Sequence, residues 1–220
     1  MKQKEIFLQS EGDAWFIRNQ YAVATRKLPD DDPLLSEIID ISKGVSGANL
    51  IVLEIGCGDG TRLAWLKHNL NAECYGLEPS AQAVSIACAQ GLNVQQGTAD
   101  LLPFAKQSFD IVIFGFGFCL YLCDREDLFH IASEADRVLR GSGWIMIQDF
   151  FHPEPYANAY LHRVDVQSYK MDYRTLFTWH PNYQCVTHKV RHHSDGAYTD
   201  KQDEWVAVST LRKHCQERSA

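Results

Sequence analysis

The sequence predicts an α/β fold: a seven-stranded, mostly parallel sheet with helices on both faces and a C-terminal antiparallel hairpin. Three observations predict it. Residues 49–150 alternate short β-branched runs with helix-period segments over short connections, the pattern of a parallel sheet with right-handed crossovers. Phe109–Phe116 is apolar at nearly every position, as a strand buried on both faces should be. Gln184–Arg191 and Trp205–Arg212 show rough alternation and are joined by the polar stretch His192–Glu204, which suits a hairpin at one edge.

The elements follow in order. Residues 1–48 read mainly as helices, broken by the loop Leu28-Pro29-Asp30-Asp31-Asp32-Pro33. Asn49–Ile55 is the first strand and ends in glycines. Thr61–Asn69 is helical, with Leu63, Leu66 and Leu70 on one stripe. Ala72–Glu78 is the second strand; Ser80 caps a helix that runs to Ala89 and stops at Gly91. Leu92–Gln96 and Phe109–Phe116 are the third and fourth strands. Asp124 caps a helix over Arg125–Leu139, and Gly141-Ser142-Gly143 turns the chain into a fifth strand, Trp144–Asp149. Residues 150–182 contain one helix near Asp172–Trp179.

Composition narrows the function classes. The chain has 220 residues, 45% hydrophobic and 22% charged, so it can bury a real core. Twenty-one Lys+Arg against twenty-eight Asp+Glu give a net charge of −7, which disfavours nucleic-acid partners because their binding rests on neutralising phosphates. No run reaches the roughly 20 apolar residues of a spanning helix, and the N-terminus lacks a signal peptide's apolar core. Seven scattered cysteines do not suggest a disulfide framework. The expectation is a reduced, cytoplasmic protein without membrane partners.

The most informative stretch is Leu53-Glu54-Ile55-Gly56-Cys57-Gly58-Asp59-Gly60-Thr61, which follows the first strand and opens a helix. Glycines there permit a tight turn and close approach of a ligand to the backbone. Glu78, ending the neighbouring strand, is placed to accept hydrogen bonds from ribose hydroxyls. A dinucleotide fingerprint wants G-x-G-x-x-G, whereas the spacing here is G-x-G-x-G. Glu54 and Asp59 bracket the loop and would repel a pyrophosphate, but they suit an ammonium or a sulfonium. S-adenosylmethionine (SAM) carries both and has no phosphate.

With these motifs in order, residues 50–150 resemble the class I SAM-dependent methyltransferases of the type 11 and type 25 groups, whose fold is Rossmann-like. Leu53–Thr61 resembles their first motif, Glu78-Pro79-Ser80 their ribose acid, and Gly97–Phe104 the loop whose acid meets the adenine amino group. Ser108–Val112 and Glu134–Gly143 match the later strand and helix. The resemblance implies SAM as cofactor and S-adenosylhomocysteine as product. It implies cofactor contacts at Glu54, Gly56, Cys57, Gly58, Glu78, Pro79, Asp100, Leu101 and Gly115. Residues 11–19 are similar to the start of methylases associated with pseudaminic-acid and related sugar pathways, which implies Trp15, Arg18 and Asn19 on a helix over the cofactor. A plain amphipathic helix packing Trp15 and Phe16 inward is the other reading. One domain then divides into a helical cap (1–48), a SAM-binding core (49–150), a substrate-cover insert (151–183) and edge strands (184–213).

The resemblance does not name the acceptor. Base amino-group methylases carry Asn/Asp-Pro-Pro-aromatic after the fourth strand, where this chain has Gly115-Phe116-Gly117-Phe118; neither Cys119 nor Cys123 follows a proline, as a cytosine nucleophile would. Those two cysteines read as small buried hydrophobes. A small polar metabolite, a sugar derivative among the candidates, is the expected acceptor of O- or N-methylation. A hydroxyl or carboxyl acceptor wants a base, and His152, Asp149 and Tyr121 stand past the fourth and fifth strands. Phe118, Tyr169, Tyr173 and His180 are the candidate substrate contacts. His188, His192 and His193 lack the spacing of a metal site, so none is expected. A non-catalytic SAM-binding subunit and a nucleotide-linked oxidoreductase are the competing functions.

Overall fold

Ile51–Ile55 (β1) is the strand on which the sheet is built, because its β-branched run can be buried on both faces. A computed structural model describes residues 1–44, 49–115 and 118–215. The remaining strands are Glu73–Glu78 (β2), Asn93–Gln96 (β3), Phe109–Phe114 (β4), Leu139–Phe150 (β5), Tyr156–Ala159 (β6), Gln167–Lys170 (β7), Tyr183–His192 (β8) and Trp205–Lys213 (β9). The main sheet has seven strands in the order β3-β2-β1-β4-β5-β9-β8. β1 pairs in parallel with β2 (Ile55 opposite Leu77) and with β4 (Ile55 opposite Phe114). β9 runs antiparallel to β5, with Ala207 opposite Asp149, and β8 antiparallel to β9. The strand order reverses between β1 and β4, and a crevice opens at their carboxyl ends.

Alternation along the strands feeds two cores. Leu53, Ile55, Val112, Phe114, Ile145 and Ile147 face one cluster, which Leu128–Val138 (α6) covers with Ile131, Ala135 and Val138. Val52, Ile111, Ile113 and Met146 face the other. Pro33–Lys43 (α3) covers that side with Leu34, Leu35 and Ile38, and Thr61–Leu70 (α4) with Leu63 and Leu66. Ala81–Ala89 (α5) starts at Ser80, whose hydroxyl accepts the Ala83 N–H at 3.1 Å. The N-terminal segment runs as Gln3–Ile6 (α1), a π-helical turn at Phe7–Glu11 and Gly12–Ala24 (α2). Among the described residues no helix is long and apolar enough to cross a membrane.

The structure departs from the sequence reading in three places. Asp124 does not cap α6: its carboxylate accepts the Gln3 N–H at 2.8 Å, and a 3-10 turn at Arg125–Asp127 comes before the helix. Gly141–Gly143 is not a turn between elements but part of β5, whose Leu139 already pairs with Phe109 across an irregularity in register. The insert holds a two-stranded sheet of β6 and β7, and its helix is the single turn Thr175–Thr178 (α7). β6 and β7 are short, polar and at most half-buried, so they carry no alternation to read.

Candidate functional site

A cavity opens at the reversal of strand order. Gly56 lines it from the glycine loop, where Gly56, Gly58 and Gly60 take φ of 72°, 56° and 77°. These are left-handed values that glycine adopts without steric cost. At Gly60 a Cβ would also stand 2.4 Å from Leu92 Cδ1. Gly56 closes the turn by donating its N–H to the Leu77 carbonyl at 2.7 Å.

Glu78 forms one wall and is only 8% exposed. Its Oε2 accepts the Gly58 N–H and its Oε1 the Ser80 N–H, each at 2.9 Å. The carboxylate thus ties the glycine loop to the end of β2. Burial pushes its pKa up to about 7, against the pull of those two N–H donors. Each carboxylate oxygen keeps a further lone pair for a ligand hydroxyl.

At the opposite end, Thr98, Ala99, Asp100, Leu122 and Ile131 line the cavity. Lys4 reaches in from α1 and pairs with both Asp100 and Asp127. The pairing with Lys4 helps hold Asp100 below the usual carboxylate range, in opposition to its burial.

The N-terminal helices cover the site. Gly12 lies so close to the second strand's end that a Cβ there would meet the Phe7 carbonyl at 2.7 Å and the Ser80 nitrogen at 3.1 Å. Asp13 accepts from the Ser80 hydroxyl at 2.6 Å and the Gln82 N–H at 3.0 Å, a favourable place for an acid at the start of α5. Trp15 lines the cavity and donates its indole N–H to the Tyr121 hydroxyl at 3.4 Å. Phe118, Tyr121 and Phe150 pack together beyond it, with ring centroids 4.7 to 6.4 Å apart.

Glu54 corrects the sequence reading. It does not face the cavity: it is fully buried on the far side of the loop and pairs with Arg62. The Arg62 guanidinium also binds Asp32 at 2.9 Å and donates to the Gly115 carbonyl at 3.3 Å. Asp32 in turn caps α3 through the Leu34 and Leu35 N–H groups. Burial pushes the Glu54 carboxyl up to about 7, with Arg62 pulling the other way. Its acid neighbours an arginine of its own chain, which removes the argument that it attracts a cationic ligand.

The structure brings Gly56, Glu78, Pro79, Asp100, Trp15 and Phe118 to one cavity. Several other expected residues stand elsewhere. Cys57 is buried under the loop, and its sulfur is 2.5 Å from where a Cβ on Gly76 would be. Leu101 is 72% exposed, and Gly115 packs against Leu34 and Gln148. Arg18 binds Glu11 and the Tyr160 hydroxyl, while Asn19 donates to the Trp15 carbonyl at 2.8 Å.

Asp149 accepts the Leu120, Tyr121 and Phe150 N–H groups, so it shapes the chain around Leu120. His152 accepts the Glu154 N–H at 3.1 Å and packs edge-on to Tyr156, outside the cavity lining. Tyr169 bonds to Gln167, Tyr173 is buried and donates to the Tyr169 carbonyl, and the His180 ring accepts the Asn182 N–H. Phe116 and Gly117, which follow the fourth strand, lie outside the described residues.

Sequence reasoning missed Lys4, Gly12 and Asp13, and Cys119 and Cys123, read there as small buried hydrophobes, are half-buried in the cavity wall. A glycine–aspartate pair inside a helix-period segment was a usable sign of close approach at Gly12. Lys4 carried no such sign. Among the described residues no cluster of three or more His, Cys, Asp or Glu is arranged to hold a metal ion.

Residues 53–147 match the model of a family described as a methyltransferase domain. An uncharacterized methyltransferase of Bacillus subtilis (strain 168) is 33% identical over 112 residues, covering 47% of this chain and 42% of that protein. A fatty-acid O-methyltransferase of Mycolicibacterium smegmatis is 29% identical over 162 residues, covering 59% of this chain and 57% of that one. The chain spans about half the length of the curated relatives it matches. Among solved structures, a Burkholderia thailandensis 1,6-didemethyltoxoflavin-N1-methyltransferase with bound 1,6-didemethyltoxoflavin and S-adenosylhomocysteine superposes with a TM-score of 0.60. It is 16% identical, covering 92% of this chain and 89% of that one.

Proposed function

We propose, from the match of residues 53–147 to a methyltransferase domain family, that this chain transfers a methyl group from S-adenosylmethionine to a small-molecule acceptor. The observation that carries the reading is Glu78, a buried carboxylate held on the Gly58 and Ser80 N–H groups at the wall of a cavity. The residues fit the cofactor. A Cβ on Gly56 would meet Cys119 at 3.3 Å, so glycine keeps open the floor on which the methionine portion would lie. Glu78 would accept from the ribose hydroxyls, and Asp100, whose carboxylate also accepts from Lys4, would accept from the adenine amino group. When bound, SAM supplies the electrophilic methyl carbon.

The protein's own share is positioning. Aligned reactants held in a dry pocket account for much of the rate of a displacement reaction. Trp15 and Phe118 give the cavity an aromatic side, with Tyr121 and Phe150 packed behind Phe118, which suits a compact, ring-shaped polar molecule better than a polymer. A sugar derivative belongs to that class. The net charge of −7 also favours a small molecule over nucleic acid.

A thermal-shift comparison tests the cofactor. S-adenosylhomocysteine should raise the melting temperature and NAD should not, because only a native-state ligand stabilises. The reverse result would reject the reading.

Affinity for S-adenosylhomocysteine should fall as the pH drops below about 7, where Glu78 takes up a proton. Ribose hydroxyls donate to the ionised carboxylate, so protonation removes their acceptor. Calorimetry across that range checks it, and Glu78→Gln should flatten the profile.

His152→Ala is expected to keep most of its turnover, since its ring is engaged with Glu154 away from the cavity. Loss of a general base would instead lower the rate by roughly 10²–10⁴-fold with cofactor binding intact.

A further inference from the structure

We propose that Cys119 and Cys123 form a dithiol site in the cavity wall that captures a trivalent thiophilic ligand of the organoarsenical class. The two residues flank the 3-10 turn Leu120–Leu122, and both line the cavity. The Cys123 thiol donates to the Cys119 carbonyl at 3.5 Å, which folds the two side chains toward one another across the turn. Neither is in a disulfide. The turn between them is fixed, because Asp149 accepts the Leu120 and Tyr121 N–H groups. Two soft donors therefore stand side by side on a rigid turn and face a space that a ligand can enter.

Sulfur donors select soft electrophiles over hard ions such as magnesium or calcium. With two thiols and, among the described residues, no cluster of three metal-ligating side chains, the site suits an element that is satisfied by two new bonds. An arsenical R–As(OH)₂ meets that condition. Two S–H and two As–O bonds break, two As–S bonds form, and two waters leave carrying the thiol protons. Arsenic stays trivalent, so no oxidant or reductant is consumed. The neighbouring Cys123 thiol, together with burial, keeps Cys119 protonated well above the usual thiol range. A lone alkylating agent, which needs the thiolate, is thereby disfavoured relative to a chelating one.

The site has a consequence for the cavity. Cys119 Cβ and Sγ lie 3.3 and 3.5 Å from where a Cβ on Gly56 would stand, so a ligand on the two sulfurs intrudes on the glycine floor. Capture and cofactor binding should exclude each other. That competition, unlike the site itself, rests on the SAM reading above.

Phenylarsine oxide is the probe, applied to the full native chain in excess 2-mercaptoethanol and read by intact mass. One adduct that resists the monothiol and is released by dithiothreitol is expected. Cys119→Ser and Cys123→Ser should each lose it, while Cys88→Ser should keep it. Peptide mapping of the wild-type adduct reports the same location without relying on a variant's folding. No resistant adduct on the wild type, or one that persists in either of the two key variants or maps elsewhere, overturns the proposal. S-adenosylhomocysteine binding is measured on untreated protein first. If it binds there, the adduct should abolish it. If it does not bind there, the cofactor reading fails, while the mapping still decides the dithiol site.

Discussion

Arg62→Ala should lower the stability of the protein by about 3–5 kcal/mol, the loss expected when one member of a buried charge cluster is removed. Arg62 is 0% exposed, and its guanidinium serves Glu54, Asp32 and the Gly115 carbonyl together. Alanine would leave two carboxylates out of water with less compensation and would open a cavity between α3, β1 and α4. Domains of this size are stable by only about 5–15 kcal/mol, so the variant should unfold at a much lower urea concentration. Arg62→Lys should recover part of the loss at most, because an ammonium cannot reproduce the planar fork that reaches all three partners. A midpoint close to wild type would show that the cluster is not what anchors the glycine loop.

Glu78→Ala should weaken S-adenosylhomocysteine binding roughly ten- to a hundredfold, which is the loss of hydrogen bonds to a charged group worth about 1.5–3 kcal/mol. Two effects contribute. The ribose loses its acceptor, and the Gly58 and Ser80 N–H groups lose the carboxylate that holds them. Glu78→Gln separates these effects. Its single amide oxygen can keep one of the two backbone donors, so its affinity should lie between those of alanine and wild type. Titration calorimetry gives both values, and unchanged affinity in the alanine variant would remove Glu78 from the cofactor site.

The sheet was legible in the sequence because most of its strands carry a pattern that burial imposes. β1 and β4 are continuous apolar runs, and β8 and β9 roughly alternate. The glycine loop and Glu78 were legible for a related reason: a left-handed backbone and a cavity-facing acid at a strand end leave few residue types to choose from. What stayed hidden depends on pairings distant in sequence. Glu54 reads the same whether it faces a ligand or an arginine, and only the packing of α4 beneath the loop shows that Arg62 has claimed it. The Lys4–Asp100 and Asp13–Ser80 contacts join the N-terminal helices to residues far along the chain, and no local pattern announces them. The β6–β7 sheet escaped because its polar residues resemble a loop.

The strand order also bears on how the chain avoids sticking to itself. Open strand edges invite pairing with other copies and lead toward aggregation. One border of this sheet is β3, only four residues long and ending in two glutamines. The other is β8, where His188, Lys189, Arg191 and His192 break up the apolar positions. The hydrophobic strands β1, β4 and β5 each have a neighbour on both sides. Edge-to-edge addition of a second molecule would therefore have to begin on a stub or on a strand whose apolar positions are interrupted by polar side chains, which disfavours fibre-like growth.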